Sequence, residues 1–430
     1  MRRVAVIGSG ISGLSVAHAL AGAARVTLFE AGSHFGGHTN TVDMTLDGVT
    51  HGVDTGFLVL NERTYPQLLK LFGELGVETA KSDMSFSVQV LDIALEWSGC
   101  DLNTVFAQRM NLLRPRFWQM LSDLMRFNRQ ATALAASGEV DRLDQPIGDF
   151  LVERRFSAAF RDWYFLPMIG CIWSCPVDQM LRFPVATMLR FCHNHGLLQV
   201  ANRPQWYTVR GGARTYVRKM LQAVPDARLN TPVRGVRRVE GSVLVATEAG
   251  TEHFDEVVLA CHSDQSLALL ADASAAEAQV LGAIRYQRNR AVLHTDTSVL
   301  PKRRKAWAAW NYERAATGSR DDPSVCLHYL LNRLQPLPFK SPVVVSLNPL
   351  GPWREPRADA VHAEFDYAHP VFDMAAIAAQ QRVSALQGER HTWFAGAWTR
   401  YGFLEDGLMS GLAVVDGLRA AWAMPMKEAA

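Results

Sequence analysis

The sequence predicts an α/β protein in which a smaller α+β unit is inserted twice into a domain built on a parallel sheet. Three observations predict this fold class: a strand, glycine-rich turn and helix at the amino end, and two later returns to buried strands, near residues 233–260 and 393–397. The chain has 430 residues, which at roughly 150 residues per domain suggests two or three domains. It contains no internal repeat and no low-complexity linker.

The composition excludes disorder, a fibrous repeat and a membrane-spanning protein. Hydrophobic residues make up 48% of the chain and charged residues 20%, so there is ample apolar material for a large core. The longest apolar runs, such as residues 257–261, are far shorter than the ~18 residues of a membrane span. No signal peptide precedes the first strand, and the six scattered cysteines are typical of reduced core thiols. We therefore expect a cytoplasmic protein.

A buried strand leads directly into a glycine-rich turn and a helix. Residues 4–7 form an apolar run rich in β-branched residues, typical of a strand covered on both faces of a parallel sheet. Gly8 permits the tight turn, Gly10 lets the backbone approach a pyrophosphate, and Gly13 lets helix and strand pack closely. The helix amino terminus offers unpaired N–H groups and a positive dipole end to phosphates. The turn whose backbone we expect to hold the cofactor is Gly8, Ser9, Gly10, Ile11, Ser12 and Gly13.

An acidic residue follows the second predicted strand, residues 25–29. Glu30 is placed to accept hydrogen bonds from the hydroxyl groups of an adenosine ribose. A carboxylate there repels a 2′-phosphate, so NADP is disfavoured. Because the G-x-G-x-x-G pattern lies between a strand and a helix and has this acidic residue downstream, it predicts a dinucleotide site rather than a chance glycine-rich turn.

Segment 30–38, which reads Glu-Ala-Gly-Ser-His-Phe-Gly-Gly-His, resembles the signature of flavin-containing amine oxidases and their relatives. This superfamily includes protoporphyrinogen oxidases and carotenoid desaturases. In it a glycine pair follows the acidic residue and is usually succeeded by Arg. Here His38 follows Gly37, so that contact to the pyrophosphate depends on the protonation or orientation of the histidine. The resemblance implies FAD as the cofactor, with Glu30 and Ala31 also among its contacts.

Two further segments resemble flavin contacts of the superfamily, in the expected order. Residues 53–57 resemble the turn that runs beside the ribityl chain and the flavin ring, which makes Thr55, Gly56 and Phe57 cofactor contacts. Gly56 has a reason to be small there, because backbone must pass against a flat ring. Val233 lies in a segment that resembles the strand whose valine backbone meets adenine.

Residues 393–411 resemble the closing motif, in which a helix amino terminus points at the flavin pyrimidine ring. That helix dipole stabilises negative charge on a reduced flavin. Most relatives have Glu or Asp after Gly396 and bond a ribityl hydroxyl with it. Ala397 cannot do so, which leaves Asp406, a backbone group or a different ribityl position as the alternatives. No cysteine lies here, so we expect non-covalent FAD. The contacts that the resemblance assigns are Gly396, Ala397, Asp406, Gly407 and Leu408.

A narrower likeness indicates a bacterial branch of FAD/NAD-binding oxidoreductases. Some members of that branch act as desaturases on methyl-branched fatty acyl chains. The segments that resemble it are residues 172–174, 191–198, 260–265 and 307–312.

The superfamily implies a Rossmann-like FAD-binding domain of the amine oxidase and glutathione reductase type. Residues 1–85, 205–265 and 388–430 are assigned to this domain, and residues 86–204 and 266–387 to a substrate domain. The predicted elements within them are a hairpin over 84–97, helices over 100–200, strands at 233–247, 253–260, 291–295 and 343–347, and a helix near 374–386.

Candidate catalytic residues come from alignment with the flavin site of the superfamily. Flavin accepts a hydride at N5, so the protein must position a C–H bond over that atom and exclude water. Amine oxidases place a Lys near N5. Alignment by apolar alternation puts His294 there, to hold a water or take a proton; a strand histidine bonded to backbone is the alternative. Tyr401 and Phe403 align with the aromatic residues that wall the flavin face, a role compatible with core packing. His262 is interpreted as a helix cap or a catalytic residue.

The middle of the chain combines aromatic and methionine residues with isolated arginines. Residues 118–191 would either line a long apolar channel or form the core of a helical domain, and the arginines favour a channel for an acyl chain with an anionic head. Residues 101–240 hold 20 Lys and Arg against 11 Asp and Glu. This excess indicates an anionic lipid surface, an anionic substrate or a solvated helix surface on which arginine stems cover apolar groups. Without a nucleic-acid-binding motif, nucleic acid ranks last.

Together these features predict an FAD-dependent oxidoreductase. The favoured activity is dehydrogenation of a long apolar substrate, a methyl-branched fatty acyl chain free or carried on phospholipid, by hydride transfer to flavin N5. The alternatives are a soluble amine oxidase, which the absent lysine disfavours, and a non-catalytic flavoprotein that serves as scaffold or electron relay. Region 101–240, with the basic run 302–305, would allow peripheral contact with the anionic inner face of the membrane. We expect no metal, and the oligomeric state stays open.

Overall fold

The computed structural model describes residues 1–199, 203–314, 326–349 and 354–423, without the side chain of Asp141. Residues 424–430 of the predicted FAD domain therefore lie outside the described residues. The strands are β1 (Arg3–Ile7), β2 (Arg25–Phe29), β3 (Thr41–Leu46), β4 (Val49–Asp54), β5 (Leu60–Asn61), β6 (Thr79–Ser82), β7 (Phe86–Val90), β8 (Leu95–Ser98), β9 (Trp206–Val209), β10 (Asp226–Arg228), β11 (Gly235–Val239), β12 (Ser242–Thr247), β13 (Gly250–Phe254), β14 (Glu256–Leu259), β15 (Arg285–His294), β16 (Trp310–Arg314), β17 (Cys326–Leu330), β18 (Val344–Leu347), β19 (Val361–Val371) and β20 (Thr392–Phe394).

The helices alternate with these strands and dominate residues 102–194. They are α1 (Ile11–Ala19), α2 (Pro66–Leu75), α3 (Leu102–Val105), α4 (Pro115–Ser137), α5 (Ile147–Glu153), α6 (Ala158–Phe160), α7 (Leu166–Trp173), α8 (Val177–Leu181), α9 (Val185–Asn194), α10 (Arg214–Leu221), α11 (Ser263–Leu269), α12 (Ala275–Gly282), α13 (Leu331–Leu334), α14 (Met374–Gln380) and α15 (Leu404–Ala423). A π-helical turn (Arg161–Phe165) joins α6 to α7, and short 3-10 turns include Arg109–Leu113 and Arg304–Ala306. Among the described helices, none is long and apolar enough to cross a bilayer.

A five-stranded parallel sheet forms the centre of the first domain. Its order is β10-β2-β1-β14-β20, so the predicted first strand β1 lies in the middle with β2 and β14 on either side. Residues 4–6 are fully buried, as the apolar run predicts. Helices α1 and α15 cover one face, and the β11–β13 meander covers the other. Strands β2 and β14 lie on opposite sides of β1, so the strand order reverses there. Ligands are expected in the crevice at the carboxyl ends of β1 and β14.

The first and last helices of this domain pack at very close range. A Cβ placed on Gly407 would lie 2.7 Å from Cγ2 of Ile11, and one placed on Gly411 would lie 2.0 Å from the hydroxyl oxygen of Ser15. These two glycines lie one helical turn apart on the same face of α15, so together they leave room for α1 to pack closely against it. The closing motif thus has a packing role as well as the cofactor role assigned to Gly407.

The second sheet is built from both predicted insertions. Its order is β19-β15-β18-β17-β16-β7-β8, in which β7 and β8 come from the first insertion and the other strands from the second. All its pairs are antiparallel except β7 with β16. One face packs on the helices of residues 102–194 to form the largest apolar core. The double insertion predicted for the fold class is therefore confirmed, while the domain boundaries stay predictions.

Three details of the sequence interpretation are corrected by the structure. The strand predicted over 233–247 is a hairpin, β11 and β12, whose turn contains Gly241 with a φ of +70°. The strand predicted at 253–260 is split between the end of β13 and β14. The helix predicted near 374–386 ends at Gln380 and is followed by a 3-10 turn. Short elements joined by tight turns account for all three differences, because apolar alternation continues across such turns.

The aromatic and methionine residues of the middle segment are mostly core rather than channel. Trp118 and Met125 are exposed, whereas most of the others are buried in the core that the helices share with the second sheet. The buried residues are Met120, Phe127, Tyr164, Phe165, Met168, Trp173, Met180, Phe183, Met188 and Phe191. The channel interpretation of this set is therefore not supported by their positions.

Candidate cofactor site and active site

The three glycines of the first turn have three different surroundings. Gly8 has a φ of +100°, and a Cβ there would lie 2.9 Å from the carbonyl oxygen of Ala260. A Cβ on Gly13 would lie 1.9 Å from the carbonyl oxygen of Gly8, so strand and helix approach too closely for any side chain. By contrast, no described atom lies within 4 Å of a Cβ placed on Gly10. The packing of the protein does not explain that glycine, but the approach of a ligand does.

The amino end of α1 is open to an anion. Its first residue is Ile11, Gly10 caps it without a side chain, and within its described first turn there is no acidic residue. Its leading N–H groups therefore keep their positive dipole end uncompensated, which is the arrangement that binds phosphate. Ser12 and Gly13 complete this turn, as the motif predicts.

The carboxylate of Glu30 stabilises the glycine turn through hydrogen bonds. Its Oε2 accepts hydrogen bonds from the amide and hydroxyl of Ser9, at 2.9 and 2.5 Å, and its Oε1 accepts the amide of Gly32 at 2.7 Å. The backbone carbonyl of Glu30 accepts the amide of Thr231, so the loop that leads to the buried Val233 lies beside it. Ala31 follows on the exposed side. The residues predicted to face adenosine are thus brought together.

Gly37 and His38 lie directly against the glycine turn. A Cβ on Gly37 would lie 3.2 Å from Cα of Gly10. The ring of His38 is half-buried, and its Nε2 lies out of contact with solvent with no hydrogen-bond partner among the described atoms. An unpaired buried ring nitrogen is costly unless a ligand satisfies it.

Three histidines converge at this point, and we call His38, His262 and His369 the histidine cluster. The ring centroid of His38 lies 6.3 Å from that of His262, 5.3 Å from that of His369 and 5.2 Å from that of Tyr367, on which it stacks. Burial lowers the pKa of His38 to about 4, and repulsion from His262 adds to the shift. Burial likewise lowers the pKa of His262 to about 4 and that of His369 to about 3. The cluster is therefore neutral at pH 7.

Strand β19 carries the second sheet into contact with the cofactor side. The side-chain Nδ2 of Asn40 donates to the hydroxyl oxygen of Tyr367 at 3.0 Å, and this hydroxyl lies 2.8 Å from that of Thr55. The side-chain Nδ2 of Asn289 on β15 lies 3.0 Å from Nδ1 of His369. The sequence interpretation missed Tyr367 and His369, which lie more than 300 residues after His38. No local pattern marks them.

The turn with Thr55, Gly56 and Phe57 is held by the backbone next to His38. The amide of Phe57 donates to the carbonyl of His38 at 2.9 Å, and that of Thr55 donates to the carbonyl of Asn40 at 3.0 Å. A Cβ on Gly56 would lie 2.2 Å from the carbonyl oxygen of His38. Gly56 is therefore small because backbone meets backbone, a reason that adds to the close passage of the flavin ring expected from the sequence.

The closing motif contains a tryptophan that the sequence interpretation overlooked. Trp398 is buried, its indole N–H donates to the carbonyl of Cys261 at 3.2 Å, and a Cβ on Gly396 would lie 2.1 Å from the indole nitrogen. The amide of Gly396 donates to the hydroxyl of Ser410 at 3.1 Å. Ala397 continues the 3-10 turn that leads towards α15. The closing motif thus contains a turn whose interior is filled by the indole ring of Trp398, at the edge where the carboxyl ends of the parallel strands lie.

Asp406 caps its own helix, although it was a candidate partner for the ribityl chain. Its Oδ2 accepts the amide of Phe403 at 3.0 Å, and burial raises its pKa to about 6. The neighbouring Glu405 accepts the amides of Gln67 and Leu68, at 2.8 and 2.9 Å, and so caps α2. The structure therefore engages both carboxylates in hydrogen bonds to backbone. Leu408 is buried against α1, next to Gly407.

Tyr401 and Phe403 belong to an aromatic wall, which we define as Trp173, Phe191, His195, Tyr401 and Phe403. The ring centroids of Phe191 and Phe403 lie 5.2 Å apart in a stacked arrangement, and the indole N–H of Trp173 donates to the carbonyl of Tyr401 at 3.2 Å. The ring of His195 stacks on Phe191 at 3.9 Å, and burial lowers its pKa to about 4. The two predicted residues thus lie in one apolar, uncharged group.

The structure does not bring His294 to this group. Along β15, Ala291 and Leu293 face the large apolar core, whereas the ring of His294 is fully buried in a polar network. Its Nε2 bonds the hydroxyl of Ser346 at 2.7 Å, and its Nδ1 accepts the amide of Asp296 at 3.1 Å. A position beside flavin N5 therefore has no support from the structure. Apolar alternation gave the strand, but not the face to which this side chain belongs.

The polar network continues from Ser346 to His328 and Glu313. Ser346 bonds Nδ1 of His328 at 2.7 Å, and Glu313 pairs with Arg354 and lies 3.5 Å from His328. Glu313, His328 and Cys326 place potential ligand atoms within 4.8 Å of one another. Because the carboxylate is already paired with an arginine, the arrangement is a charge-balanced hydrogen-bond network rather than a metal centre.

His262 has the capping position that the sequence allowed. It is the residue before α11, and its amide donates to the side-chain oxygen of Gln265 at 3.2 Å. Its ring stacks on that of Tyr286 at 4.2 Å and faces His38. His262 therefore occupies the N-cap position of α11 and also belongs to the histidine cluster.

The residues at this edge of the parallel sheet fit FAD. Three observations show the fit: the space above Gly10, the uncapped amino end of α1 and the unpaired Nε2 of His38. The aromatic wall and the amino end of α15 lie on the side where the closing motif would meet the flavin ring. When bound, FAD supplies a hydride acceptor at flavin N5.

Comparison with known proteins agrees with this geometry. The family model described as flavin containing amine oxidoreductase matches residues 11–302. None of the curated proteins matches the chain. Solved structures of similar fold include a CLA-producing fatty acid isomerase from P. acnes (TM-score 0.69), a protein named protoporphyrinogen oxidase from Exiguobacterium sp. 255-15 (TM-score 0.68) and a triple mutant of putrescine oxidase (TM-score 0.67).

Each of these structures is 16% identical to the chain, over 98% of this chain and 99% of the other. At that identity the likeness concerns the fold. The family match, by contrast, spans more than half of the chain and includes the second half of the glycine turn, Glu30 and the histidine that follows the glycine pair. The chain therefore belongs to the flavin containing amine oxidoreductase family and is an FAD-dependent oxidoreductase.

Proposed function

We propose that the protein dehydrogenates a long apolar substrate, a fatty acyl chain with or without a methyl branch, either free or as part of a phospholipid. The observation that carries this proposal is the uncharged character of the aromatic wall. Tyr401, Phe403, Phe191 and Trp173 contribute rings, and the one titratable imidazole among them, His195, has a pKa lowered to about 4 by burial.

The carboxylates near the aromatic wall already accept hydrogen bonds from backbone amides. Asp406 accepts the amide of Phe403, and Glu405 accepts two amides of α2. A cationic amine placed here would lose its hydration without gaining a dedicated charged partner, which costs free energy. A hydrocarbon chain loses no such hydration, and its burial is favourable. The wall therefore suits an alkyl chain better than an ammonium group.

The residues of the chain would divide the work as follows. Tyr401 and Phe403 would orient the C–H bond to be broken and keep water away from it. The amino end of α1 and His38 would hold the phosphates, which fixes the depth of the cofactor. The amino end of α15 would stabilise negative charge at the flavin ring less strongly than α1 does at the phosphates, because its first turn contains Glu405 and Asp406. A fatty acid isomerase among the solved structures of this fold supports the choice of a fatty acyl substrate.

Amine oxidation is the second candidate, and one observation favours it. Aromatic rings such as those of Tyr401 and Phe403 can hold a cation over their faces, and a putrescine oxidase has a similar fold. A third candidate, an electron relay or scaffold that uses FAD without oxidising a substrate of its own, would need no wall of this kind.

Anaerobic mixing separates the three candidates. The FAD-loaded protein is mixed with a phospholipid that carries a methyl-branched acyl chain, with the free acid, and with polyamines, while the flavin absorbance is followed. Bleaching by the acyl compounds supports the proposal, and bleaching by polyamines alone contradicts it. Bleaching by neither supports the relay. Phe403→Leu should slow the bleaching by acyl compounds, whereas the matched surface change Met125→Ser should leave it unchanged.

A further inference from the structure

Large apolar side chains are exposed mainly in one short stretch of the chain. Of the 13 large apolar residues that are exposed among the described residues, seven lie between residues 91 and 118. Leu102 and Leu113 are 78% and 75% exposed, so most of each side chain is in contact with solvent. We call these seven residues the apolar patch: Leu91, Ile93, Leu102, Met110, Leu112, Leu113 and Trp118.

Direct contacts join the patch into one surface. The guanidinium of Arg114 donates to the carbonyl of Ile93 at 3.3 Å, the indole N–H of Trp118 donates to the carbonyl of Leu112 at 2.9 Å, and Arg109 donates to Asn103 on α3 at 2.6 Å. The β7–β8 turn, α3, the 3-10 turn Arg109–Leu113 and the first turn of α4 therefore lie side by side. Scattered exposed apolar residues are ordinary, but a contiguous set indicates an interaction site.

Basic side chains surround the patch. Arg109 and Arg116 are exposed within it, and the exposed run 302–305 is joined to its edge through Glu96 on β8. The carboxylate of Glu96 accepts the amide of Lys302 at 2.9 Å and pairs with Arg303 at 2.9 Å. The nearby carboxylates are engaged as well, since Asp101 caps α3 and Asp92 pairs with Arg314. The surface is thus apolar at its centre and positive around it.

We propose that this surface docks on an anionic lipid bilayer, with the apolar patch in the interfacial layer and the basic side chains over the headgroups. Apolar and aromatic side chains inserted beside a polybasic segment are the combination that binds such a surface. A second copy of the chain fits less well, because a two-fold contact would bring the basic side chains of one copy against those of the other. The proposal does not rest on the substrate of the enzyme.

Flotation with lipid vesicles tests the proposal. The FAD-loaded protein is expected to float with vesicles that contain phosphatidylglycerol and to stay behind with pure phosphatidylcholine. The double variants Leu102→Ser with Leu113→Ser, and Arg304→Glu with Lys305→Glu, should each weaken binding about tenfold or more. Met125→Ser with Val152→Ser is the matched control, because these side chains are 58% and 75% exposed but lie outside the patch.

A label on Cys100 reports on the docked state directly. Cys100 is exposed and lies beside the patch, whereas Cys261 is only partly exposed and burial raises its pKa to about 11. An environment-sensitive fluorophore on Cys100 should shift to shorter wavelength with anionic vesicles and not with neutral ones. Retained FAD absorbance shows that each variant is folded.

Several outcomes would overturn the proposal. One is equal binding to neutral and anionic vesicles, and another is an equal loss in the control variant. A third is a protein that forms dimers which the patch variants turn into monomers, with vesicle binding unchanged, because the patch would then be an interface between copies of the chain.

Discussion

The two large sheets carry their functional information in different ways. At the carboxyl edge of the parallel sheet, the cofactor site is made of backbone: three glycines, a helix end and a turn with a positive φ. In the seven-stranded sheet, what matters is the face on which each side chain lies. Strand β16 shows this, because Tyr312 faces the apolar core while its neighbours Asn311 and Glu313 face the polar network. Backbone sites are readable from glycine spacing, whereas side-chain sites require the register.

The largest effect is expected where backbone meets backbone. Gly13→Val would force a side chain into space where even a Cβ lies 1.9 Å from the carbonyl oxygen of Gly8, and we expect a loss of about 3 kcal/mol or more in unfolding free energy. Gly10→Val should instead keep the fold and lose FAD, because its side chain would enter space that the protein leaves open. Thermal unfolding and bound flavin absorbance measure the two effects. Normal FAD binding by Gly10→Val would show that the space above Gly10 is not the pyrophosphate site.

The next prediction concerns the polar face of the second sheet. His294→Ala would leave Ser346 and the amide of Asp296 without their partner and open a cavity, so we expect a loss of about 2–4 kcal/mol in unfolding free energy. The rate of flavin reduction by substrate should change little, in contrast with Phe403→Leu. If His294→Ala instead slows flavin reduction at unchanged stability, the imidazole acts at the flavin, and the assignment of His294 to the polar face of the sheet is wrong.

The pH dependence of FAD binding tests whether side chains assist the backbone site. The groups that face His38 are His262 at the start of α11, and Tyr367 and His369 on β19. A diphosphate at this place would favour the protonated imidazole, so FAD affinity should rise as the pH falls, roughly tenfold between about pH 7 and about pH 5. Titration of FAD fluorescence gives the affinity. His38→Arg should remove most of this pH dependence. If FAD affinity changes with pH as steeply in that variant as in the original protein, His38 is not the group responsible.

The protein without FAD should show the opposite trend in stability. The pKa of His38 is lowered from 6.5 to about 4 in the folded chain, so the unfolded chain binds protons first as the pH falls. The contribution of the neutral ring to stability is therefore present above about pH 6.5 and lost between about pH 6.5 and pH 4. Melting curves over this range, with and without FAD, should diverge as the pH falls. Parallel curves would mean that FAD does not affect the titration of the cluster.

The smallest effect is expected at the amino end of α15. Asp406→Ala removes the cap on the amide of Phe403 and should cost about 1 kcal/mol, whereas Asp406→Asn should cost less, since its amide oxygen can still accept that hydrogen bond. The flavin spectrum should stay the same in both variants. A changed flavin spectrum in Asp406→Asn would restore the ribityl role that the sequence left open.

The comparison also explains how much could be predicted from the sequence. The glycine turn and Glu30 could be assigned because both depend on local spacing, and the closing motif because its segment resembles that of the superfamily. Tyr367 and His369 were missed because their positions arise from the meeting of distant segments, and no local pattern marks a side chain that arrives from another sheet. Trp398, by contrast, lies within the closing motif and was overlooked there. His294 was misplaced for the same reason, since its strand was recognised but its face depends on pairing with β18.

The contact between α1 and α15 has a consequence for how the protein is made. The phosphate-binding turn is synthesised long before Gly407 and Gly411, the two glycines of α15 that pack against α1. Strand β20 must also be added before the parallel sheet is complete. A nascent chain therefore exposes an incomplete nucleotide site until β20 and the first turns of α15 have been synthesised, and cofactor capture waits for these two elements.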